Sequence, residues 1–187
     1  HDELKEEPLF NEVKRYADEL ESLTLNILTL GKLMHGNDKV SDDKADFAEL
    51  IEQRINHFKD ISDSLAITFY KDRHASLYLP SLYISLIVDN LLSNACRYGD
   101  KQVDVSLKKE ELFVSLIVSD DGAGIAEEEL ETVFIPFARL DSSRSKSSGG
   151  FGLGLAIVKS CIDKINGEIE LSRGEKGGLR VQLNIPV

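Results

Sequence analysis

Between Gly149 and Ser160 the chain reads GGFGLGLAIVKS, with glycine at the alternate positions Gly150, Gly152 and Gly154 and an apolar helical pattern running on without a break. Glycine costs conformational entropy and weakens a helix, so three of them at a helix start need a compensating reason. The usual one is close approach of main-chain N–H groups to an anion at that helix start. No stretch fits GxxxxGK[ST], and GxGxxG fails because position 155 is Leu. A long polar stretch rather than a strand precedes the motif, which argues against a dinucleotide-binding unit.

Three further stretches bear on the same chemistry. DDGAGI (Asp120 to Ile125) directly follows a strand pattern. Asp120 then stands at a strand end, where a carboxylate can accept from an exocyclic amine, and Gly122 and Gly124 let main chain approach a flat ring. The two glycine stretches together suggest adenine at one loop and phosphates at the other. In DNLLSNACRY (Asp89 to Tyr98), Asn90 and Asn94 are four apart and share one helical face. Asn is poor inside helices, so two on one face of an apolar helix call for an explanation. An amide oxygen is a suitable hard ligand for Mg²⁺, which binds largely through nucleotide phosphates. Arg97 could meet a phosphate, and Tyr98 offers a ring beside a base. The plainer reading is that both amides cap or cross-link elements. IPFARLDSSRSKSSGG (Ile135 to Gly150) carries Arg139, Arg144 and Lys146 in a chain of net charge −11. It reads as a lid that closes over phosphates, or as a plain surface loop.

The charge of −11 argues against non-specific binding to nucleic acid or anionic lipid. With 187 residues, 42 % of them hydrophobic and 29 % charged, the chain suits one globular domain plus an appendage. Cys96 and Cys161 lie in apolar patterns without a CxxC and read as reduced core thiols of a cytosolic protein. No apolar run reaches the roughly 18 residues of a membrane span, and no signal peptide opens the chain. The absence of an initial Met suggests a piece of a longer protein.

The appendage is a long amphipathic helix. Leu9, Val13, Tyr16, Leu20, Leu23, Ile27, Leu30 and Met34 alternate spacings of four and three, a heptad seam that favours a partner helix over packing on its own domain. HGNDKVSDDKAD (His35 to Asp46) reads as a linker. The organisation expected is residues 1–36 as helix, 37–46 as linker and 47–187 as one domain. Within that domain a helix fits Phe47 to about Phe58. LAITFYKD (Leu65 to Asp72) and ASLYL (Ala75 to Leu79) alternate like strands, and Pro80 and Ser81 open a helix to about Tyr98. Val103 to Leu107 and Leu112 to Val118 alternate as an antiparallel hairpin. A short helical turn lies near EEELETVF, a helix follows the glycine motif to about Ile165, and a last hairpin spans Ile169 to Ile185. The expected fold class is α+β: a two-layer α/β sandwich with helices on one face of a mixed, mostly antiparallel sheet, preceded by the long helix.

In this order, DNLLSNACRY, DDGAGI, IPFARLDSSRS and GGFGLGLAI resemble the asparagine box, first glycine box, phenylalanine box and second glycine box of sensor histidine kinases. These belong with DNA gyrase B, MutL and heat-shock chaperones to the Bergerat-fold ATPases; within the kinases, the RstB-like group is the most similar by eye. The resemblance covers about Asp46 to Val187, and the seam helix resembles the second helix of the dimerisation and phosphotransfer hairpin. It implies ATP and Mg²⁺ as ligands. Asn94 would ligate Mg²⁺ with Asn90 assisting, Arg97 would contact phosphate, and Tyr98 would flank adenine. Asp120 would bind the adenine amino group in a pocket shaped by Gly122, Gly124 and Ile125. Arg139 and Arg144 would reach the outer phosphates, and these two with Asn90, Asn94 and Arg97 form the implied catalytic set. Gly150, Gly152 and Gly154 would present main chain to the triphosphate, with Leu153 and Leu155 holding the lid end. The implied partners are a second kinase subunit and a response regulator. The implied location is a cytoplasmic domain of an inner-membrane sensor, without direct membrane contact.

Two pairs depart from the family pattern: Pro80-Ser81-Leu82-Tyr83 stands for Asp-Pro-x-Arg, and Gly178-Leu179 for Gly-Thr. Neither is expected to do chemistry. Superfamily members that hydrolyse ATP carry Glu where Asn90 stands, and an amide cannot take a proton from water as a carboxylate can. The site should therefore spare ATP for a histidine, unless Asp89 serves as a base. HDELKEEPL superficially resembles the phosphoacceptor box, but Pro8 falls seven residues after His1 and only one helical seam follows. The acceptor is thus expected outside this chain, and His35, His57 and His74 carry no metal-ligand spacing. Two other classes stay open: an ATP-hydrolysing machine and a degenerate interaction domain.

Overall fold

Every second residue of Val103–Val105–Leu107 and of Val114–Leu116–Val118 points to one side of a strand, and all six side chains are buried. The computed structural model describes residues 3–35, 43–61, 65–139 and 150–187. In chain order these form α1 (Glu3–His35), β1 (Lys44–Asp46), α2 (Phe47–Ile61), β2 (Ala66–Lys71), β3 (Tyr78–Pro80) and α3 (Ser81–Tyr98). Then come β4 (Gln102–Lys109), β5 (Phe113–Asp120), two 3-10 turns at Glu127–Glu129 and Thr132–Phe134, α4 (Gly154–Lys164), β6 (Glu168–Arg173) and β7 (Leu179–Pro186).

The main sheet has the order β2-β4-β5-β7-β6. β2 runs parallel to β4, because α3 carries the chain back over the sheet between them, and the other neighbours are antiparallel. Ile51 and Ile55 of α2, Ile84, Ile87 and Leu91 of α3, and Ile157 and Ile162 of α4 are buried with the strand residues in one core. Each such side chain contributes roughly 1.5–3 kcal/mol by leaving water. The helices thus lie on one face, as the α+β reading expected. The opposite face carries Asp104, Ser106, Lys108 and Gln182, which alternate with the buried positions.

Two expectations change. Lys44–Asp46, counted with the linker, form β1 and pair antiparallel with β3 through Ala45↔Leu79, so α2 starts from an anchored strand. Residues 36–42 of the expected linker lie outside the described residues. The strand expected at Ala75–Leu79 is displaced to Tyr78–Pro80, while buried Ala75 donates its N–H to Asp72 O at 3.1 Å in a turn.

The long helix does two things at once. Leu30 and Leu33 are buried in the domain core, so its last turns pack on its own domain. Leu9, Val13, Tyr16, Leu20, Ile27 and Met34 of the heptad seam are exposed. The described residues contain no helix long and apolar enough to cross a membrane.

A carboxylate clasp joins the end of β5 to the start of β4. Asp121 accepts from the main-chain N–H groups of Asp100, Lys101 and Gln102, at 2.9, 3.0 and 3.0 Å to Oδ1. Those donors, Lys101 foremost, hold its carboxyl down from the ordinary 3.8 to about 2. A depressed carboxylate adds stability above its unfolded pKa and loses it as pH falls through the folded one. Asp121→Asn should therefore melt below the wild type at neutral pH, and the gap should close between about pH 4 and 2, followed by thermal circular dichroism.

Candidate functional site

Along one edge of α3, Asn90, Ser93, Asn94 and Arg97 follow one another at helical spacing beside a cavity of about 270 Å³. That volume lies near the lower end of the roughly 300–1,000 Å³ range of small-molecule sites. The start of α4 forms the facing wall. The two walls meet closely: a Cβ on Gly154 would lie 3.0 Å from Asn90 Oδ1 and 3.4 Å from Asn94 Nδ2. Any larger residue at 154 would intrude on the two amides. Gly152 has φ +69°, a left-handed value that side chains resist, and its carbonyl accepts the Phe137 N–H at 2.9 Å. That bond ties the stretch before residue 140 to the segment leading into α4.

The amide orientation has a cause. Asn90 donates Nδ2 to the Leu86 carbonyl at 2.7 Å, one turn back, which turns its oxygen toward Gly154. A side-chain oxygen at a helix N-terminus would crowd an anion, but it suits a cation bound with that anion. Among the described residues no group of three or more His, Cys, Asp or Glu could hold a metal. A divalent ion here would rest on amide oxygens, water and ligand phosphates. Asp89, beside Asn90 in sequence, faces away and is clasped by Arg54 of α2 through both guanidinium Nε (2.6 Å) and Nη2. Those two hydrogen bonds hold the carboxylate outside the cavity lining.

Asp120 closes the far end. It is only 6 % exposed, and its Oδ1 accepts the N–H of Gly122 at 2.9 Å and of Leu179 at 3.2 Å. Oδ2 is left to accept from a ligand. Burial pushes this carboxyl above its ordinary value, and the two N–H donors pull it back. The turn before β7 packs tightly here, because a Cβ on Gly178 would overlap Asp120 itself.

The structure brings most of the sequence-derived residues around this one cavity. Asn90, Asn94, Arg97 and Tyr98 line it from α3, and Asp120, Gly124 and Ile125 from the loop after β5. Gly150, Gly152, Leu153, Gly154 and Leu155 line it from the α4 side, with Arg139 at the edge. Gly122 stands behind, as the donor to Asp120. Arg144 and the middle of the expected lid, residues 140–149, lie outside the described residues, as does His1. His35, His57 and His74 are exposed and away from the cavity. Cys161 is buried with its thiol pushed up to about 12, and burial also raises Cys96.

Sequence reading missed eight lining residues; Ala123, Val133, Ala138 and Phe151 are apolar, and the other four bear on the site. Ser93 shares the Asn90 edge of α3 and could have been found from its spacing. Leu179 takes part through its main-chain N–H, which no side-chain pattern reveals. Ser22 and Asn26 come from α1, more than 60 residues away in sequence.

With that geometry in view, comparison with known proteins is informative. Residues 81–187 match the family described as histidine kinase-, DNA gyrase B-, and HSP90-like ATPase. Sensor protein RstB of Escherichia coli K12 is 33 % identical over 178 residues, covering 94 % of this chain and 41 % of that protein. The chain thus spans about two fifths of that relative's length. Among solved structures, the Acinetobacter baumannii histidine kinase AdeS superposes with a TM-score of 0.78 at 23 % identity, over 95 % of this chain and 83 % of that one. Full-length ShkA in complex with AMPPNP gives 0.79 at 20 % identity, over 94 % of this chain and 37 % of that one. At such identities the two structures speak for the fold.

Two glycine substitutions separate fold from site. Gly178→Ala forces main chain off Asp120 and should cost about 1–3 kcal/mol in denaturant unfolding. Gly150→Ala meets the movable end of the Arg97 side chain, and its stability loss should be clearly smaller.

Proposed function

The chain belongs to the histidine kinase-, DNA gyrase B- and HSP90-like ATPase family, and from that premise we propose that it is the catalytic domain of a sensor histidine kinase, binding Mg·ATP and presenting its γ-phosphoryl group to a histidine. The observation that carries this reading is the convergence of the Asn90 and Asn94 amides on the glycine-bearing start of α4, opposite the half-satisfied Asp120 carboxylate.

In this reading each group has one task. Asp120 accepts the adenine amine on Oδ2, and Tyr98 flanks the ring. The main-chain N–H groups from Gly150 to Leu155 take the phosphates at the helix start, where the helix dipole favours negative charge. Asn90 and Asn94 would hold the magnesium ion, which neutralises charge on the phosphates and fixes their geometry. Arg97, Arg139 and Arg144 supply cations toward the outer phosphates. Phosphoryl transfer depends mainly on positioning and charge stabilisation, so these binding groups are also the catalytic ones.

Restraint toward water follows from the same residues. Position 90 carries an amide, and the neighbouring Asp89 carboxylate is clasped by Arg54. The amide cannot take a proton from water as a carboxylate can, and the carboxylate is held away from the cavity, so the site holds ATP for a better placed nucleophile. We place that histidine on a helix outside this chain, since His35, His57 and His74 stand away from the cavity. A second kinase subunit would pair along the exposed seam of α1, and a response regulator would receive the phosphoryl group. The same proposal puts this domain on the cytoplasmic side of a membrane-bound sensor.

Titration calorimetry with a non-hydrolysable ATP analogue tests the assignment. Binding should require Mg²⁺, and Asn94→Ala and Asp120→Asn should each weaken it about tenfold, the size of one charge-assisted hydrogen bond. Binding that ignores magnesium and both substitutions would contradict it, and sustained ATP hydrolysis would favour a hydrolysing ATPase instead.

A further inference from the structure

Helix α1 carries a second stripe besides the heptad seam. Arg15, Ser22, Asn26 and Leu33 recur at helical intervals on a face turned about a quarter of the way round from the seam. This stripe is the one that meets the domain. Leu33, and Leu30 at its edge, are buried and dock the last turns. The stripe turns polar one to two turns earlier, where α1 passes along α4 and the cavity mouth, and there Ser22 and Asn26 line the cavity together with Asn90 and Asn94. An outer groove continues from Ser22 along α1, between Arg15 and the Arg97–Phe151 edge of the domain.

The polarity needs a cause. Neither Ser22 nor Asn26 belongs to the seam, so pairing with another helix does not demand it. Packing on the domain does not demand it either, since the same stripe is leucine where it is buried. Asn26 is half-buried, and its amide makes no hydrogen bond to another described residue. A half-buried amide facing a cavity without a partner is under-used unless a ligand fills it.

We propose that Asn26, assisted by Ser22, is a positioning residue for the bound nucleoside triphosphate, so that filling the cavity fastens α1 to the domain. This rests on the nucleotide reading of the cavity. The amide N–H of Asn26 and the hydroxyl of Ser22 donate to phosphate oxygens from the side opposite α3. The nucleotide then adds a polar bridge to the apolar contact that α1 makes with the domain through Leu23, Leu30 and Leu33. By linkage, contacts to α1 that tighten nucleotide binding also make nucleotide tighten the α1 dock by the same factor.

The test uses the whole 187-residue chain with Mg²⁺ and a non-hydrolysable ATP analogue. Calorimetry should show Asn26→Ala binding about five- to tenfold more weakly than the wild type. Asn26→Asp should be weaker still, because a carboxylate would face phosphate, and both variants should melt with the wild type when nucleotide is absent. Hydrogen exchange gives a second readout: the analogue should slow the amides of residues 22–33 in the wild type and leave them unchanged in Asn26→Ala. Wild-type affinity in both variants, or equal slowing of α1 in wild type and Asn26→Ala, would overturn the proposal while leaving the nucleotide site intact. A wild-type chain that binds no analogue would take both readings down.

Discussion

The contact between the start of α4 and the amide edge of α3 is the constraint on which the site depends. A side chain at 154 would press on the amides of Asn90 and Asn94, which lie 3.0 and 3.4 Å from where its Cβ would stand. The surrounding structure holds the two helices at that distance. Ile87 and Leu91 beneath one wall and Leu153 and Ile157 beneath the other are all buried in the common core. Arg54 locks α3 to α2 from behind. At the other end the tight turn before β7 fixes Asp120, so both ends of the proposed nucleotide site are anchored in the same fold. Preorganisation of this kind is what phosphoryl transfer asks of a protein, because the reaction needs alignment and charge more than covalent help.

Much of this was legible in the sequence because it breaks local rules. Asn90 and Asn94 are poor helix residues on an apolar helix, and the glycines weaken the helix they introduce. A residue that costs local stability points to a demand elsewhere. The strands of the sheet were legible for the opposite reason, since Val103 to Leu107 and Leu112 to Val118 obey a period of two. What stayed hidden has no local signature. The parallel pairing of β2 with β4 is a choice of partner, and alternation within a strand does not encode it. Lys44–Asp46 is too short for any period to show. Part of the grip on Asp120 comes from the Leu179 N–H, a group present in nearly every residue, so the departure from Gly-Thr looked inert.

Helix α1 shows how one element can carry two messages. Its heptad seam was plain to read and remains exposed along Leu9, Val13, Tyr16 and Leu20. The stripe facing the domain was masked, because only its last turns are apolar and the seam dominates the hydrophobic pattern. The helix thus presents exposed apolar residues on one side and two cavity-lining polar residues on another.

The central claim is that nucleotide sits between α3 and the start of α4. Side-chain and main-chain NMR on the labelled chain reads that location directly. Adding the magnesium complex of a non-hydrolysable ATP analogue should shift the side-chain amides of Asn90 and Asn94 and the main-chain amides of Gly150, Gly152 and Gly154, together with Gly122 beside Asp120. Shifts confined to the open sheet face around Asp104, Lys108 and Gln182, with the α3 and α4 signals unmoved, would contradict the account.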